Sequence, residues 1–164
     1  MLNSYVNWKR DYEIVPIGTS HSGAVSNLHA LRFAKAWSDG EFFGLMSQDN
    51  VYGFVARQVN ELYAQDVAGF VLAREGGGEA EILTIAVHEK LGRGGLGWRL
   101  MQAVLRETVL RGADTMFLEV DSVNQAAIGL YRKLGFETVA ERKAYYTAKD
   151  GTKSTALVMR LDLR

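Results

Sequence analysis

The residues best placed to do chemistry gather around a glycine cluster, Gly92-Arg93-Gly94-Gly95-Leu96-Gly97. It follows the apolar run Ile82-Leu83-Thr84-Ile85-Ala86-Val87 and opens an amphipathic stretch. A strand, then glycines, then a helix start is a recipe for binding an anion. Without Cβ atoms the backbone can approach a ligand closely, unpaired N–H groups point outward, and the helix dipole adds about half a positive charge. Arg93 supplies a further cation. The plain alternative is a tight turn whose glycines only satisfy positive φ, and the loop alone leaves these two readings balanced. The phosphate loop of nucleotide hydrolases is excluded, because it ends in Gly-Lys-Ser/Thr whereas Gly97 is followed by Trp98 and Arg99. The dinucleotide spacing G-x-G-x-x-G does fit Gly92, Gly94 and Gly97, and Glu119 falls roughly where an acidic ribose ligand would stand. That fingerprint normally follows the first strand of a long alternating array. Here several strands precede the loop, so it is kept as a minor alternative.

Other chemistries lack their groups. With no Cys, disulfides, thiolate metal sites and cysteine nucleophiles are all removed. His21, His29 and His88 have no metal-ligand spacing and read as surface or satisfied side chains, so no metal site is expected. No G-x-S-x-G elbow supports serine hydrolysis. Nineteen basic and nineteen acidic side chains cancel, which argues against nucleic acid or an anionic membrane as the main partner. No stretch approaches the ~18 apolar residues of a membrane span, and Met1 to Arg10 lacks the apolar run of a signal peptide. At roughly 150 residues per domain, the expectation is one cytoplasmic domain over residues 1–164.

The elements that must position the loop follow from periodicity and turn residues. A strand is expected over Tyr12 to Ile17, and a helix from Ser20 to about Trp37. A short helix should follow Ser38 or Asp39. Val51 to Val59, Val67 to Arg74 and Glu81 to Val87 read as strands, with Gly76 to Gly78 as a turn between the last two. The dense run Glu81 to Val87 suits a central strand covered on both faces. Leu96, Leu100, Ala103, Val104 and Leu110 then mark a helix ending near Gly112. Thr115 to Val120 reads as a buried strand, and Asn124 to Leu134 as a helix stopped by Gly135. Strands Phe136 to Tyr146 and Lys153 to Asp162 flank a turn at Asp150-Gly151. This order predicts an α+β (α/β layered) fold.

From Glu81 onward the chain resembles the GCN5-related N-acetyltransferases, and within them the ribosomal-protein-alanine N-acetyltransferase family. The resemblance rests on Ile82 to Val87, on Arg93-Gly94-Gly95-Leu96-Gly97, and on the long run Leu118-Glu119-Val120 through Asn124, Leu130-Tyr131 and Leu134-Gly135-Phe136. Tyr145-Tyr146 and Asp150-Gly151 extend it, and Trp37-Ser38 with Phe42 is a weaker echo in the N-terminal half. It implies a mixed, mostly antiparallel sheet of about six to seven strands flanked by about four helices. There are departures. Gly92 stands where the family usually has Gln or Arg, His88-Glu89-Lys90 lacks the proline often found there, and Gly129 interrupts a helix at up to ~1 kcal/mol relative to Ala.

The resemblance implies acetyl-CoA as cosubstrate. Its pantetheine arm would lie along Ile85, Ala86 and Val87, paired with exposed backbone groups of a splayed strand. The pyrophosphate would lie on Gly92, Arg93, Gly94, Gly95, Leu96 and Gly97, and Asn124 would hydrogen-bond the arm, an N-cap being its plainer role. Transfer to an amine needs a deprotonated amine, a stabilised oxyanion and a protonated leaving thiolate. Glu119 matches the family's general base, and its place in the apolar run Met116 to Val120 predicts desolvation. Tyr131 matches the acid that protonates the thiolate, against a plain core tyrosine. The oxyanion donor is expected to be a backbone N–H of the strand Ile85 to Val87. Of Tyr145 and Tyr146 one should pack inward while the other lines the acceptor groove, joined by Trp37 unless that is a core residue.

An α-amine with a pKa near 8 is about a tenth neutral at pH 7, against ~0.04% for lysine, so a single carboxylate base copes more readily with an N-terminus. The expectation is an acetyl-CoA-dependent enzyme acting directly on a protein N-terminus, an alanine of a ribosomal protein. A small-molecule amine as acceptor, and an acyl-CoA-binding sensor without turnover, stay open as alternatives.

Overall fold

A computed structural model describes residues 11–59, 67–91 and 94–164. One seven-stranded sheet organises it, in the order β1-β2-β3-β4-β5-β7-β6. The strands are β1 (Tyr12–Pro16), β2 (Val51–Gln58), β3 (Gly69–Gly76), β4 (Glu79–Val87), β5 (Thr115–Asp121), β6 (Glu137–Thr147) and β7 (Lys153–Asp162). Four helices flank them: α1 (Ser22–Arg32), α2 (Asp39–Met46), α3 (Leu96–Leu110) and α4 (Gln125–Lys133). Every neighbouring pair is antiparallel except β4 and β5, which are joined through α3 and run parallel. A parallel pair needs such a crossover.

The β3–β4 hairpin turns on Gly77 and Gly78, both at positive φ (62° and 83°). Those are the conformations that a two-residue turn between right-twisted strands demands. Gly53 in β2 answers a different need, since a Cβ there would overlap the Val71 carbonyl of β3. The short helix α2 starts at Ser38, whose hydroxyl accepts from the Glu41 amide (3.1 Å) while the Glu41 carboxylate accepts from the Ser38 amide (3.2 Å).

The two faces of the sheet carry separate cores. On one, α3 presents Leu96, Leu100, Met101 and Val104 and α4 presents Ile128 and Tyr131, packed on Val71, Met116, Leu118 and Met159. On the other, Val25 and Leu28 of α1 and Phe42 of α2 pack on Val55, Phe70, Leu72 and Ala86. The helix expected to run to Trp37 ends at Arg32. Phe33 is already extended (φ −122°, ψ 142°), and its ring stacks on His29 at 4.2 Å.

Two strands that begin as partners do not stay so. β4 and β5 pair only at Glu79↔Thr115, Ala80↔Met116 and Glu81↔Phe117. Beyond that point β4 remains paired with β3, and β5 with β7, but not with each other. The register of β4 on β3 slips there: Ala73 faces Ile82 and Leu72 faces Thr84, so Leu83 is one residue too many. An extra residue bends the strand that carries it, and this bend sits where β4 leaves β5.

Candidate active site

The parting of β4 and β5 opens a wedge in the middle of the sheet, with one edge of Ile82 to Val87 free of strand partners. An unpaired strand edge offers donors and acceptors to an extended, amide-bearing ligand. Ile85, Ala86 and Val87 all lie on this stretch, Ala86 buried and its neighbours half-buried. At the mouth of the wedge stands the start of α3. Its first intrahelical bond of this turn is Arg99 N–H to the Gly95 carbonyl (3.1 Å), which leaves the amides of Leu96, Gly97 and Trp98 without acceptors in the helix.

The glycines of this loop have distinct tasks. Gly95 caps the helix at φ 77°, left-handed backbone in which a side chain is strained, with nothing near where a Cβ would stand. A Cβ on Gly94 would meet the Leu91 carbonyl at 3.3 Å, and one on Gly97 would meet Leu130 of α4 at 3.2 Å. Gly97 thus lets two helices approach each other. Gly92 and Arg93, expected to complete the loop, lie outside the described residues. Asn124 caps α4, its amide oxygen accepting from the Ala127 amide (3.2 Å). This loop, the free edge and the amides of α3 are together the kind of donor set that suits a pyrophosphate joined to an amide-bearing arm.

The ionisable groups sit at the other side of the wedge. β5 was expected to be buried, but it alternates: Met116, Leu118 and Val120 face the core of α3 and α4, while Glu119 is exposed. Glu119 thus lacks the cover expected for it among the described residues: beyond Glu81, β4 does not pair with β5. Instead, Glu119 Oε1 takes an ion pair from Arg142 Nη1 of β6 at 3.3 Å. Tyr131 is buried at 5% exposure, its ring edge-on to Phe136 at 5.9 Å. Burial, and then Tyr146, push its phenol up to about 12. Tyr146, half-buried, is pushed up to about 12 by burial and by Glu119, Asp121 and Tyr145, with Arg142 acting the other way.

Glu119 and Tyr131 thus belong to opposite faces of the sheet. In an intact sheet the strands would separate them. The gap between β4 and β5 removes that barrier, and a molecule lying in it can be addressed by a carboxylate from one face and a phenol from the other. Tyr146 links the two sides.

Residue spacing did not disclose Arg142 or the shape of β6. Between Arg142 and Tyr146, β6 carries extra residues against β7, and Ala144 takes φ 54°. A non-glycine residue in that region is strained, and only the surrounding pairing holds it. This kink turns Tyr146 inward while Tyr145 stays 53% exposed, as the alternation of the pair predicted. The sign that something happens here was the Tyr-Tyr pair, but not the kink itself. On the face of α1 and α2, His29 is buried among the rings of Phe33, Trp37, Phe42 and Phe70. Its Nδ1 accepts from the Trp37 amide at 3.1 Å, which ties the α1–α2 connection to the core. Trp37 stacks at 5.0 Å from His29, which matches the core reading of that residue.

Comparison with known proteins fits this architecture. The model of the acetyltransferase (GNAT) family matches residues 23–136, more than half of the chain. The [ribosomal protein bS18]-alanine N-acetyltransferase of Salmonella typhimurium is 32% identical over 149 residues, covering 90% of this chain and 95% of that protein. The crystal structure of the ribosomal-protein-S18-alanine N-acetyltransferase from Escherichia coli superposes with a TM-score of 0.83 at 29% identity, over 93% of this chain and 94% of that one. Arabidopsis thaliana NAA60 in complex with acetyl-CoA shares the fold at TM-score 0.79 and 18% identity, over 93% of this chain and 98% of that one.

Proposed function

This chain belongs to the acetyltransferase (GNAT) family and is an N-acetyltransferase, and from that premise we propose that it transfers acetyl from acetyl-CoA to the α-amine of a protein N-terminus, an alanine of a ribosomal protein. The observation that carries this reading is the likeness, along nearly the whole of both chains, to an enzyme named for the alanine of ribosomal protein bS18. We take residues 1–164 as one catalytic domain working in the cytoplasm, a setting to which a chain without Cys is suited.

Acetyl-CoA supplies an activated acetyl thioester when bound. On the protein's side, the free edge at Ile85, Ala86 and Val87 would pair with the amides of the pantetheine arm, and the first amides of α3, with the loop Gly92 to Gly97, would hold the pyrophosphate. A backbone N–H of that same edge would be the donor available to stabilise negative charge on the acetyl oxygen. Asn124 holds the end of α4 and with it the position of Tyr131. Glu119, exposed at the wedge, accepts the proton of the incoming ammonium. Tyr131 keeps its own proton through the working pH range, as its raised pKa requires, and gives it to the sulfur as it leaves. The transfer is direct, from the thioester to the amine, with no acyl-enzyme.

The test is mass spectrometry of two peptides incubated with the protein and acetyl-CoA. One has a free N-terminal alanine; the other is the same sequence blocked at its α-amine and carrying an internal lysine. Acetylation of the free N-terminus alone is the expected result. Modification of neither, with acetyl-CoA bound, would turn the search to a small-molecule amine.

A further inference from the structure

We propose that Arg142 is an internal stand-in for the acceptor: its guanidinium holds, on Glu119, the place that the acceptor's primary ammonium takes, and the two cations exchange as the acceptor binds. This rests on the reading of Glu119 as the group that receives the acceptor's amine. The contact joins Arg142 Nη1 to Glu119 Oε1 at 3.3 Å.

The sheet register explains how it is reached. Asp121 of β5, Ala156 of β7 and Arg142 of β6 stand in one row across three strands. Ala156, fully buried, is the small residue between Asp121 and Arg142 in that row. Within this row the nearer carboxylate along the register is Asp121, yet the guanidinium goes diagonally to Glu119. Asp121 Oδ1 is already accepting from the Val123 amide (3.2 Å). The ring of Tyr145 supports the guanidinium at 5.3 Å from its centroid, a cation–π contact beside Glu119.

The pair is also weak enough to exchange. Arg142 is 55% exposed and Glu119 32% in their side chains. Exposed pairs of this kind are usually worth no more than about fivefold in an equilibrium, which is about 1 kcal/mol. An ammonium arriving with its own hydrogen bonds displaces such a partner readily. Until it arrives, the guanidinium keeps the carboxylate paired and excludes other cations from it. The released arginine remains within reach of Tyr145. Arg142 therefore sets the acceptor's affinity without touching the reacting atoms, and is a positioning residue.

The experiment follows the Arg142 Nε–H signal by NMR in labelled protein with bound CoA, using an alanine-initiated hexapeptide and its α-acetylated counterpart as probes. The Glu119→Gln variant marks the position of the released signal. Addition of the free peptide should move the wild-type signal towards that position, and the acetylated peptide should not. In kinetics, Arg142→Gln should lower the acceptor KM two- to fivefold, whereas Lys143→Gln, which removes the same charge one residue along, should not. A signal indifferent to Glu119→Gln, or moved equally by both peptides, overturns the proposal; so does a raised acceptor KM in Arg142→Gln, or an equal fall in both variants. If Glu119→Gln moves the signal but wild-type protein acetylates no free N-terminus, the acceptor reading falls and takes the exchange with it, a pattern distinct from loss of the contact.

Discussion

Tyr131→Phe separates chemistry from packing more cleanly than any other change at the wedge. The side chain is 5% exposed and lies in the core of α3 and α4, its ring edge-on to Phe136. Phenylalanine keeps that ring and loses one oxygen. Because the hydroxyl makes no hydrogen bond among the described residues, its removal should change stability by no more than about 1 kcal/mol, or about 2–4 °C in Tm for a chain of this size. The chemistry should respond far more. With a pKa of about 12 the phenol is protonated in all but roughly one molecule in 10⁴ at pH 8, so it is available as an acid throughout the working range. Loss of a positioned acid should lower kcat by about 10²-fold, or about 2.7 kcal/mol of barrier, with the KM for acetyl-CoA changed little. The assay follows release of free thiol from acetyl-CoA at saturating acceptor, with Tm measured on the same preparation. An acetyl donor whose thiol is more acidic should shrink the deficit, because a better leaving group needs less help. An unchanged kcat refutes the acid role. A fall in kcat that the better leaving group fails to relieve refutes it too, and returns Tyr131 to packing.

Thr84→Val should stabilise the protein by about 1 kcal/mol, read from the urea midpoint, because Thr84 Oγ1 is buried without a hydrogen-bond partner among the described residues and the isosteric methyl needs none; a loss of stability would mean that the hydroxyl has found one. Acidification should destabilise the protein through His29 and His21, whose pKa values burial holds below 6.5 in the fold. The unfolded chain then takes up protons first, so stability is full above about pH 6.5 and falls below it until the folded histidines protonate as well. Urea midpoints at pH 7.5, 6.5 and 5.5 should show this fall, and His29→Phe should flatten it; an equal slope in the variant would refute the assignment. Gly95→Ala should cost about 1 kcal/mol, because the added methyl has room but the backbone stands at φ 77°. It should also weaken acetyl-CoA binding by calorimetry, and unchanged affinity would remove the helix start from the binding site.

The parts of this protein legible in its sequence are those governed by neighbours along the chain. Gly77-Gly78 announces a turn because both residues must take positive φ, and the spacing Leu96, Leu100, Val104 announces one face of α3. The seven strands and four helices follow from signals of that kind together with the family resemblance. What was misread depends on contacts from far away. Phe33 carries the apolar pattern of α1 forward, but stacking on His29 takes it out of the helix. Thr115 to Val120 looks like a buried strand, yet the departure of β4 leaves Glu119 open to Arg142. Gly97 reads as part of an anion loop, and the structure adds a second demand on it, the close approach of Leu130 across a helix–helix contact. Spacing alone shows none of these, since each is set by which element lies on which.

The division of the interior into two cores has a consequence for how such a protein changes over time. α1 and α2 pack on one face of the sheet and α3 and α4 on the other, with the strands standing between them. Substitutions on opposite faces share few neighbours, so their effects should add rather than conflict. The His29, Trp37 and Phe42 cluster can be repacked without disturbing the residues that α3 and α4 bury on the other face. The sheet works as a partition, and it lets one side of the molecule be rewritten at little risk to the other.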